Sequence, residues 1–460
     1  MGMHIDMGGI WMNKKHILKS ALVECLPVDT NELIYNETEV YAYVNKTDGD
    51  LLDISIITES LLEYDKKMLT KDNCANYKPY FLEFFCDAGQ NESVKKLVHK
   101  YTGKWVEAKL QNCTDEDNTD VINGTLLISM SPFKKRGKGL IFKDKELDEK
   151  IKDDIKKTYK TYESAHNSML LNNEEDANYI ELQKYLNRHS LSNNYKIRVY
   201  NVGQGNCIYL RASSTKEITR RVLFDIGVTI TKDVDIEAIK LRAASLSQIK
   251  PDIMILSHWD LDHLLGVYLV EEKSYADIWI APDYEEREIN ESIKRLTKYL
   301  YLNGKLSLIG DYFKGKIVYN SENLQIYKGK IKEKGYSAKN QIANNHGLIL
   351  LLKNRHGVDI LPGDCEYDMW PDAIFSEICG KINLVVPHHC GGMETTKMED
   401  ICKKTNPGNA IISVGDNTYE HPNPEHECAL CTMGYRIVET RHNKWIDISS
   451  GKIEVVQEKQ

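Results

Sequence analysis

Four side chains able to bind a metal ion stand within six residues in the segment His258-Trp259-Asp260-Leu261-Asp262-His263. The preceding run DIMILS predicts a buried strand, and α/β proteins place their sites just past the carboxyl ends of such strands. In an extended segment His258 and Asp260 face the same way and can hold one cation. Asp262 and His263 are adjacent and can address a second cation at a turn into a helix. A solvent-exposed turn does not need this combination, so the segment predicts a metal site.

Further candidate ligands stand at strand ends later in the chain. Asp364 follows DILPG and could bridge two ions, and His388 and His389 end the strand NLVVP. An aspartate after glycine is commonly a turn residue, and a pair of histidines is commonly on the surface. Two metals about 4 Å apart, however, need ligands that converge from several strand ends. Together with the 258–263 segment, these positions favour a two-metal centre.

The C-terminal part of the sequence predicts the elements that would position this centre. KIRVYNV, NCIYLRA and RRVLFDIG read as consecutive strands from Tyr195 onward. Helices near 234–248 and 284–302 then alternate with apolar strands. The predicted strands are 252–257, 276–281, 348–353, 358–361, 382–386 and 409–414. This order predicts an α/β domain over 195–460, an αββα sandwich of two sheets between outer helices.

The first 194 residues predict a smaller domain and a connector. Over 1–142, strands at 51–57 and 80–85 and a helix at 91–101 with an Asn cap indicate an α+β domain. The basic segment 131–139 predicts a solvated loop, with a phosphate-contacting loop as the alternative. From Lys143, an apolar residue every fourth position predicts an amphipathic helix. The connector spans 143–194, and its polar end at 192–194 predicts the domain boundary.

Composition limits the class of protein. With 42% hydrophobic and 28% charged residues the 460-residue chain is globular, and its net charge of −8 argues against coating nucleic acid by bulk electrostatics. No segment approaches the roughly 20 apolar residues that span a bilayer, and we see no secretory signal. The odd count of 11 cysteines predicts free, mostly buried thiols in a reducing cytoplasm. Cys428 and Cys431 form a single CxxC, for which packing inside a helix is favoured over zinc.

Taken in order, these motifs resemble the metallo-β-lactamase superfamily, and in particular the ComEC-type hydrolase domain of the bacterial competence DNA channel. The resemblance covers about residues 195–456, without the channel's membrane part. It is carried by motifs in the family's order: VGQGNC (202–207), LSHWDLDH (256–263), LPGD (361–364), VPHHCGG (386–392) and SVGDNTYEHPNPE (413–425). Asp260 stands where most superfamily members have histidine. Asn206, Leu265 and Cys390 also depart from the ComEC-type pattern, and because none is a ligand position they bear on the substrate pocket.

The resemblance implies a role for each matching residue. His258 and Asp260 would hold one metal, Asp262 and His263 the other, with Asp364 bridging and either His388 or His389 completing the second site. His421, in YEHPNPE, would protonate the leaving group or contact phosphate. Asp225 would support the metal loop from behind. His346, in NNHGLILLL, lies where a third ligand of the first metal would fall.

The resulting hypothesis is a soluble di-metal hydrolase, a nuclease or phosphodiesterase that uses a hydroxide formed from metal-bound water. Three carboxylates among the ligands make Mn²⁺ as plausible as Zn²⁺. Nucleic acid or a nucleotide is the expected substrate, in a bacterial cytoplasm and away from the membrane. Residues 1–194 could recognise substrate, dock a protein partner or regulate. Two alternatives remain: hydrolysis of a carboxylic substrate such as a lactone, thioester or β-lactam, and a metal-stabilised binding or regulatory module without turnover. Neither the oligomeric state nor the mode of cleavage follows from the sequence.

Overall fold

The structure is a computed structural model that describes most of the chain. The residues it describes are 38–45, 51–87, 92–112, 121–128, 134–159, 169–188, 194–213, 218–229, 246, 249–270, 275–284, 289–330, 344–415, 421–449 and 452–457. The predicted helix 234–248, the Asn91 cap and the boundary at 192–194 fall outside or almost wholly outside them. No helix in these ranges combines the length and hydrophobicity needed to cross a membrane.

The strands are β1 Thr38–Val44, β2 Leu51–Ile57, β3 Leu82–Asp87, β4 Trp105–Asn112, β5 Ile122–Ile128, β6 Lys134–Glu146, β7 Leu170–Leu171, β8 Tyr195–Tyr200, β9 Cys207–Ser213, β10 Ile218–Ile226, β11 Ile253–Ile255, β12 Ile278–Pro282, β13 Leu306–Ile309, β14 Ile317–Asn320, β15 Leu324–Lys328, β16 Leu348–Asn354, β17 Gly357–Leu361, β18 Lys381–Val385, β19 Asn406–Ile412, β20 Arg436–Glu439, β21 Trp445–Ser449 and β22 Lys452–Val456. The helices are α1 Glu59–Met68, α2 Glu92–Tyr101, α3 Glu149–Tyr159, α4 Ala177–Arg188, α5 Leu261–Leu264, α6 Glu291–Leu302, α7 Asp372–Glu377, α8 Thr396–Cys402 and α9 Pro424–Thr432.

The chain forms two compact units. The first combines residues 1–160 with 290–302, and the second combines 161–289 with 303–460. Helix α6 therefore belongs to the N-terminal unit, although it lies far along the chain among elements of the other unit. The sequence analysis placed it in the C-terminal domain because its apolar face has ordinary helical spacing, which does not reveal the partner that covers it.

In the second unit, two sheets enclose the main core, as predicted. One sheet has the order β22-β21-β8-β9-β10-β11-β12-β13-β7 and the other β14-β15-β16-β17-β18-β19-β20. Apolar side chains from both sheets form one buried cluster, including Ile255, Ile280, Leu350, Val385 and Ile411. A second cluster packs the far face of the β14–β20 sheet against α7, α8 and α9. Strands β10 to β13 run parallel, so their carboxyl ends share one edge.

Several local predictions were wrong. Residues 134–139 form the start of β6 rather than a loop, and β6 continues through residues 143–146, where a helix was predicted. The helix begins only at Glu149, after the strand has paired with β4. Cys428 and Cys431 lie on α9 as expected, but both are exposed, so packing does not explain them. Of the nine cysteines described, all free, the other exposed one is Cys379.

In the N-terminal unit, six strands close a barrel in the order β1-β2-β3-β5-β6-β4. Helix α6 packs there through a buried ionic network. Asp65 on α1 accepts hydrogen bonds from the hydroxyls of Tyr77, Tyr80 and Tyr159 at 2.9, 2.7 and 2.6 Å. The Arg295 guanidinium of α6 lies 3.3 Å from the same carboxylate and over the ring of Tyr80 at 4.3 Å. A charge buried this deeply needs such partners.

The first turn of α6 rests on two carboxyl groups of the barrel. Glu83 accepts hydrogen bonds from the amide and hydroxyl of Ser292, at 3.2 and 2.5 Å, and Asn290 donates to Asp53 at 3.0 Å. Burial raises the pKa of Asp53 to about 6. Burial and the neighbouring Asp53 raise the pKa of Glu83 well above its ordinary value. One oxygen of each carboxyl group is buried without another partner, which fits a proton shared between them.

This pair predicts a pH-dependent stability. Because the pKa of Asp53 rises from 3.8 to about 6 on folding, the folded state holds a proton that the unfolded state loses between these values. The Asp53 carboxyl should therefore lower the unfolding free energy by about 2 kcal/mol between pH 4 and pH 7, at about 1.4 kcal/mol per pKa unit, because part of the shift lies below pH 4. Urea unfolding at several pH values tests this, with Asp53→Asn expected to reduce the slope to the part that the raised pKa of Glu83 contributes. Asp72→Asn, at an exposed site, should retain it; an unchanged slope in Asp53→Asn would contradict the assignment.

Candidate metal centre

The metal loop leaves β11 at the shared carboxyl edge of the parallel strands. His258 and Trp259 follow the strand, and Asp262 and His263 lie on the short helix α5. The Trp259 indole donates to the carbonyl of Pro282 at the end of β12 at 2.8 Å, which ties the loop to the neighbouring strand. The start of the loop is therefore anchored to the sheet at two adjacent strands, β11 and β12.

Three imidazole rings are oriented by hydrogen bonds at Nδ1. His263 Nδ1 lies 2.8 Å from Asp225 Oδ2, and His389 Nδ1 lies 2.7 Å from the Ser413 carbonyl oxygen. His258 Nδ1 lies 3.0 Å from the Ser257 hydroxyl, which itself donates to Asp225. Since these acceptors require a proton on Nδ1, the Nε2 atom of each neutral ring keeps its lone pair. This is how protein groups behind a metal site orient histidine ligands.

The free Nε2 atoms converge on Asp364. His263 Nε2 lies 3.0 Å from Asp364 Oδ1, His389 Nε2 lies 3.8 Å from the same atom, and His258 Nε2 lies 3.8 Å from Asp364 Oδ2. All three Nε2 atoms and Asp364 Oδ1 are buried without a hydrogen-bond partner among the described residues. Four orphaned buried polar atoms facing one another are costly unless a cation joins them.

The ligand atoms divide into two overlapping groups. Asp262, His263, Asp364 and His389 each offer an atom within 4.8 Å of the others. The second group is His258, whose Nε2 lies 3.4 Å from Asp260 Oδ2, together with Asp364. The rings of His258 and His263 are 4.1 Å apart between centroids. The structure therefore brings His258 near Asp260, and Asp262 near His263, with Asp364 close to a histidine of each pair.

Electrostatics favour ionised carboxylates at this point. Burial opposes ionisation of Asp262, but the positive charge of nearby imidazoles lowers the pKa of this carboxyl group to about 2. The pKa of Asp364 is lowered well below its ordinary value, again against burial, chiefly by His263. Burial opposes a charge on the imidazoles, but the same carboxylates raise the pKa of His263 and of His389. A divalent cation that displaced the Nε2 protons would meet two anionic carboxylates and three imidazole lone pairs, a donor set that fits Zn²⁺ or Mn²⁺.

The structure distinguishes the adjacent histidines. His389 is 2% exposed and points into the group, whereas His388 is half-buried and lies beside His421 with ring centroids 5.5 Å apart. The turn has positive φ at His388, His389 and Cys390, of 50°, 51° and 65°. Three successive non-glycine residues in the left-handed backbone conformation are strained, and such strain persists only where surrounding contacts impose it. The turn directs the two side chains to different places.

This difference predicts unequal effects of two alanine substitutions. His389→Ala removes an Nε2 ligand atom, so it should reduce bound metal from two equivalents to one and lower activity by about 100-fold or more. His388→Ala removes no atom of the ligand groups and should retain both equivalents. Metal content after dialysis, measured by plasma emission, provides the comparison. Equal metal loss in the two variants would contradict the placement of His389.

His421 and His346 lie outside both ligand groups. Burial, then the nearby His388 and His389, lower the pKa of His421 to about 4. The backbone of Gly391 approaches the His421 ring so closely that a Cβ there would lie 3.0 Å from Cε1. Burial lowers the pKa of His346 to about 4, with Lys328 and Lys314 contributing next. Among the described residues, the ligand atoms that lie within 4.8 Å of one another do not include one from His346, so the structure does not bring it into that group.

The sequence analysis missed several groups that support the ligands. One supporting group, Asp225, was assigned from the resemblance. It accepts hydrogen bonds from the amide and hydroxyl of Ser257 and lies against His263. Ser257 itself was missed, although its position directly before His258 was a usable signal. The Ser413 group that binds His389 is a backbone carbonyl oxygen, so no residue type in the sequence could indicate it. The backbone of Gly205 and of Gly227 also lies close to the Asp262 carbonyl oxygen. The presence of glycine at these positions did not reveal which group approaches them.

Comparisons with known proteins agree with this architecture. Residues 200–339 match the family model described as the Metallo-beta-lactamase superfamily, so the C-terminal half contains a domain of that superfamily and the predicted fold class is confirmed. A search of curated proteins finds no match.

Solved structures give only weak similarity. A putative metal-dependent hydrolase from Parabacteroides distasonis is 12% identical, with a TM-score of 0.31, over 53% of this chain and 92% of the other. A diphosphatase of the PhnP family is 12% identical, with a TM-score of 0.30, over 55% and 87%. CmlA, a diiron β-hydroxylase from Streptomyces venezuelae, is 9% identical, with a TM-score of 0.32, over 82% and 76%. At these TM-scores the similarities carry no weight for function.

Proposed function

We propose that this protein is a two-metal hydrolase that cleaves phosphodiester bonds in nucleic acid or nucleotides. The observation that carries the hydrolytic part is the convergence of three histidine Nε2 atoms and Asp364 Oδ1, all buried without partners among the described residues. The choice of a phosphodiester rests on the ComEC-type motif order, in which Asp260 replaces the usual histidine. The carboxylate-rich donor set agrees with it, since hard oxygen ligands suit the cations that assist phosphoryl chemistry.

The residues of the chain have separable tasks in this reaction. Two divalent cations bound at this centre would supply Lewis acidity and an activated water. Asp364 holds both groups of ligands together because its two oxygens face different histidines. Asp225 keeps the Nδ1 proton of His263 in place, which preserves the lone pair on Nε2. A neutral His421 can donate one N–H to a phosphate oxygen, and this contact suits its low pKa better than proton delivery does.

End-labelled single-stranded DNA, incubated with Mn²⁺ or Zn²⁺, tests the proposal. The wild type should cut it and Asp262→Ala should not, and the fragment pattern separates cleavage from an end from internal cleavage. RNA, cyclic dinucleotides and a chromogenic diester are assayed in parallel, beside a lactone, a thioester and a β-lactam. Turnover of a carboxylic substrate with no diester cleaved would overturn the phosphodiester proposal. Two bound metals without turnover of any substrate would indicate a binding module instead.

A further inference from the structure

His426 is a buried histidine near the metal centre that belongs to neither ligand group. It lies in the first turn of α9 and is 2% exposed. Its backbone amide is bound by the side chain of Asn423, the N-cap of the helix, at 3.1 Å. The cap therefore holds the backbone from which the His426 ring projects.

Both ring nitrogens of His426 are used, and each reaches a different segment. Nδ1 lies 2.8 Å from the carbonyl oxygen of Gly391 and Nε2 lies 3.1 Å from the hydroxyl of Tyr367. A carbonyl can only accept, so Nδ1 carries the proton and Nε2 accepts from the Tyr367 hydroxyl. No other tautomer of the neutral ring satisfies both partners.

The two partners adjoin metal-binding segments. Gly391 directly follows the strained His388–Cys390 turn that presents His389. Tyr367 is fully buried and begins the turn Tyr367–Met369, three residues after Asp364. The ring of His426 thus connects the His389 segment to the Asp364 segment.

The residues just before α9 also contact the strained turn. The Asn423 amide donates to the carbonyl of Cys390 at 2.7 Å, and His421, two residues earlier, lies against Gly391. The strained turn is therefore held at two consecutive carbonyls, Cys390 by the N-cap residue and Gly391 by the His426 ring. Left-handed conformation at three residues needs such external restraint, because each residue alone disfavours it.

We infer that His426 is a positioning residue of the metal centre, which fixes the strained turn so that His389 and Asp364 are held at coordinating distance. It binds no metal and touches no substrate, and it acts through Gly391 and Tyr367. Groups placed behind metal ligands in this way commonly change metal affinity by about 10- to 100-fold when removed. The inference rests on the metal centre of the proposed function and concerns metal affinity, so its test needs no substrate.

Three variants of the full-length protein separate positioning from general packing. His426→Leu keeps bulk and removes both hydrogen bonds, His426→Asn retains a donor near the position of Nδ1, and Tyr367→Phe removes only the hydroxyl. His442→Leu, at an exposed histidine of the same unit, is the matched control. Affinity for each Mn²⁺ equivalent is measured by calorimetry, and the Co²⁺-loaded proteins report ligand geometry by their visible absorption. Thermal midpoints of the metal-free proteins report packing.

We expect His426→Leu to weaken one Mn²⁺ equivalent by about 10- to 100-fold and to alter the Co²⁺ spectrum. His426→Asn should recover most of that affinity, Tyr367→Phe should lose a smaller part, and His442→Leu should match the wild type. Wild-type affinity in His426→Leu would overturn the inference. So would equal losses in His426→Leu and His426→Asn that follow their thermal midpoints. If the wild type binds two metals but hydrolyses nothing, the proposed function fails while the affinity comparison still decides the role of His426.

Discussion

Replacing Asp364 with asparagine is expected to lower kcat/KM by roughly 1000-fold, the size of effect seen when a charge-stabilising group is removed from a preorganised site. Asp364 lies within 3.8 Å of an Nε2 atom in each of three histidines, so it belongs to both ligand groups. The substitution preserves shape and removes the negative charge that would face two cations. Metal content should fall below two equivalents together with activity.

The control for this variant is Asp372→Asn, the same substitution eight residues further on. Asp372 is exposed and paired with Lys330 at 2.6 Å, and a pair of this kind contributes about 0–1 kcal/mol. Steady-state rates on the cleaved diester and metal counts by plasma emission decide the outcome. Near wild-type rates in Asp364→Asn with both metals retained would exclude Asp364 as the shared ligand.

The second large effect is expected at a residue with no side chain. A Cβ at Gly227 would lie 1.5 Å from the carbonyl oxygen of Asp262 and 2.4 Å from its carbonyl carbon, so Gly227→Ala must displace the metal loop. The amide of Asn206 donates to the same oxygen at 3.0 Å, and that bond would be lost as well. We expect about 3 kcal/mol less unfolding free energy and at least about 100-fold lower activity, since displacement by about 1 Å is costly at an active site.

Gly392→Ala is the matched control, because its Cβ would meet Asn423 at 3.4 Å, an ordinary contact. Urea unfolding and metal titration on the two variants separate a loop displacement from a general sensitivity of the fold. Should Gly227→Ala bind both metals with wild-type affinity, the packing of Asp262 against Gly205, Asn206 and Gly227 would not be what positions it.

The parts of the centre that could be predicted are those encoded locally. His258, Asp260, Asp262 and His263 lie within six residues after an apolar run, so spacing alone places them at a strand end. The choice of His389 over His388 could not be predicted, because it depends on a left-handed turn that neither residue type favours. His426 was missed for a related reason: its partners, Gly391 and Tyr367, are 35 and 59 residues away.

The difference between local patterns and contacts distant in sequence also explains which features of the N-terminal unit could be predicted. Its strands at 51–57 and 80–85 were predicted from apolar runs, the second being observed at Leu82–Asp87. Closure of the barrel depends on the pairing of β4 with β1 and β6, which no local pattern specifies. Arg295 reads in sequence as the polar side of an amphipathic helix. In the structure it is fully buried against Asp65, an exception that only a specific acidic and aromatic environment permits.

The membership of α6 in the N-terminal unit has a consequence for synthesis on the ribosome. About 130 residues separate Lys160 from Asn290, and at roughly 5–20 residues per second their translation takes about 6 to 26 s. Throughout that interval the barrel lacks its last helix, and Asp53, Asp65 and Glu83 lack the partners that α6 brings. The N-terminal unit, although encoded first, therefore reaches its final form only after residues 161–289 of the second unit have been made. A nascent chain that stalls before Asn290 would leave these three carboxyl groups without the contacts that Asn290, Ser292 and Arg295 provide in the completed molecule.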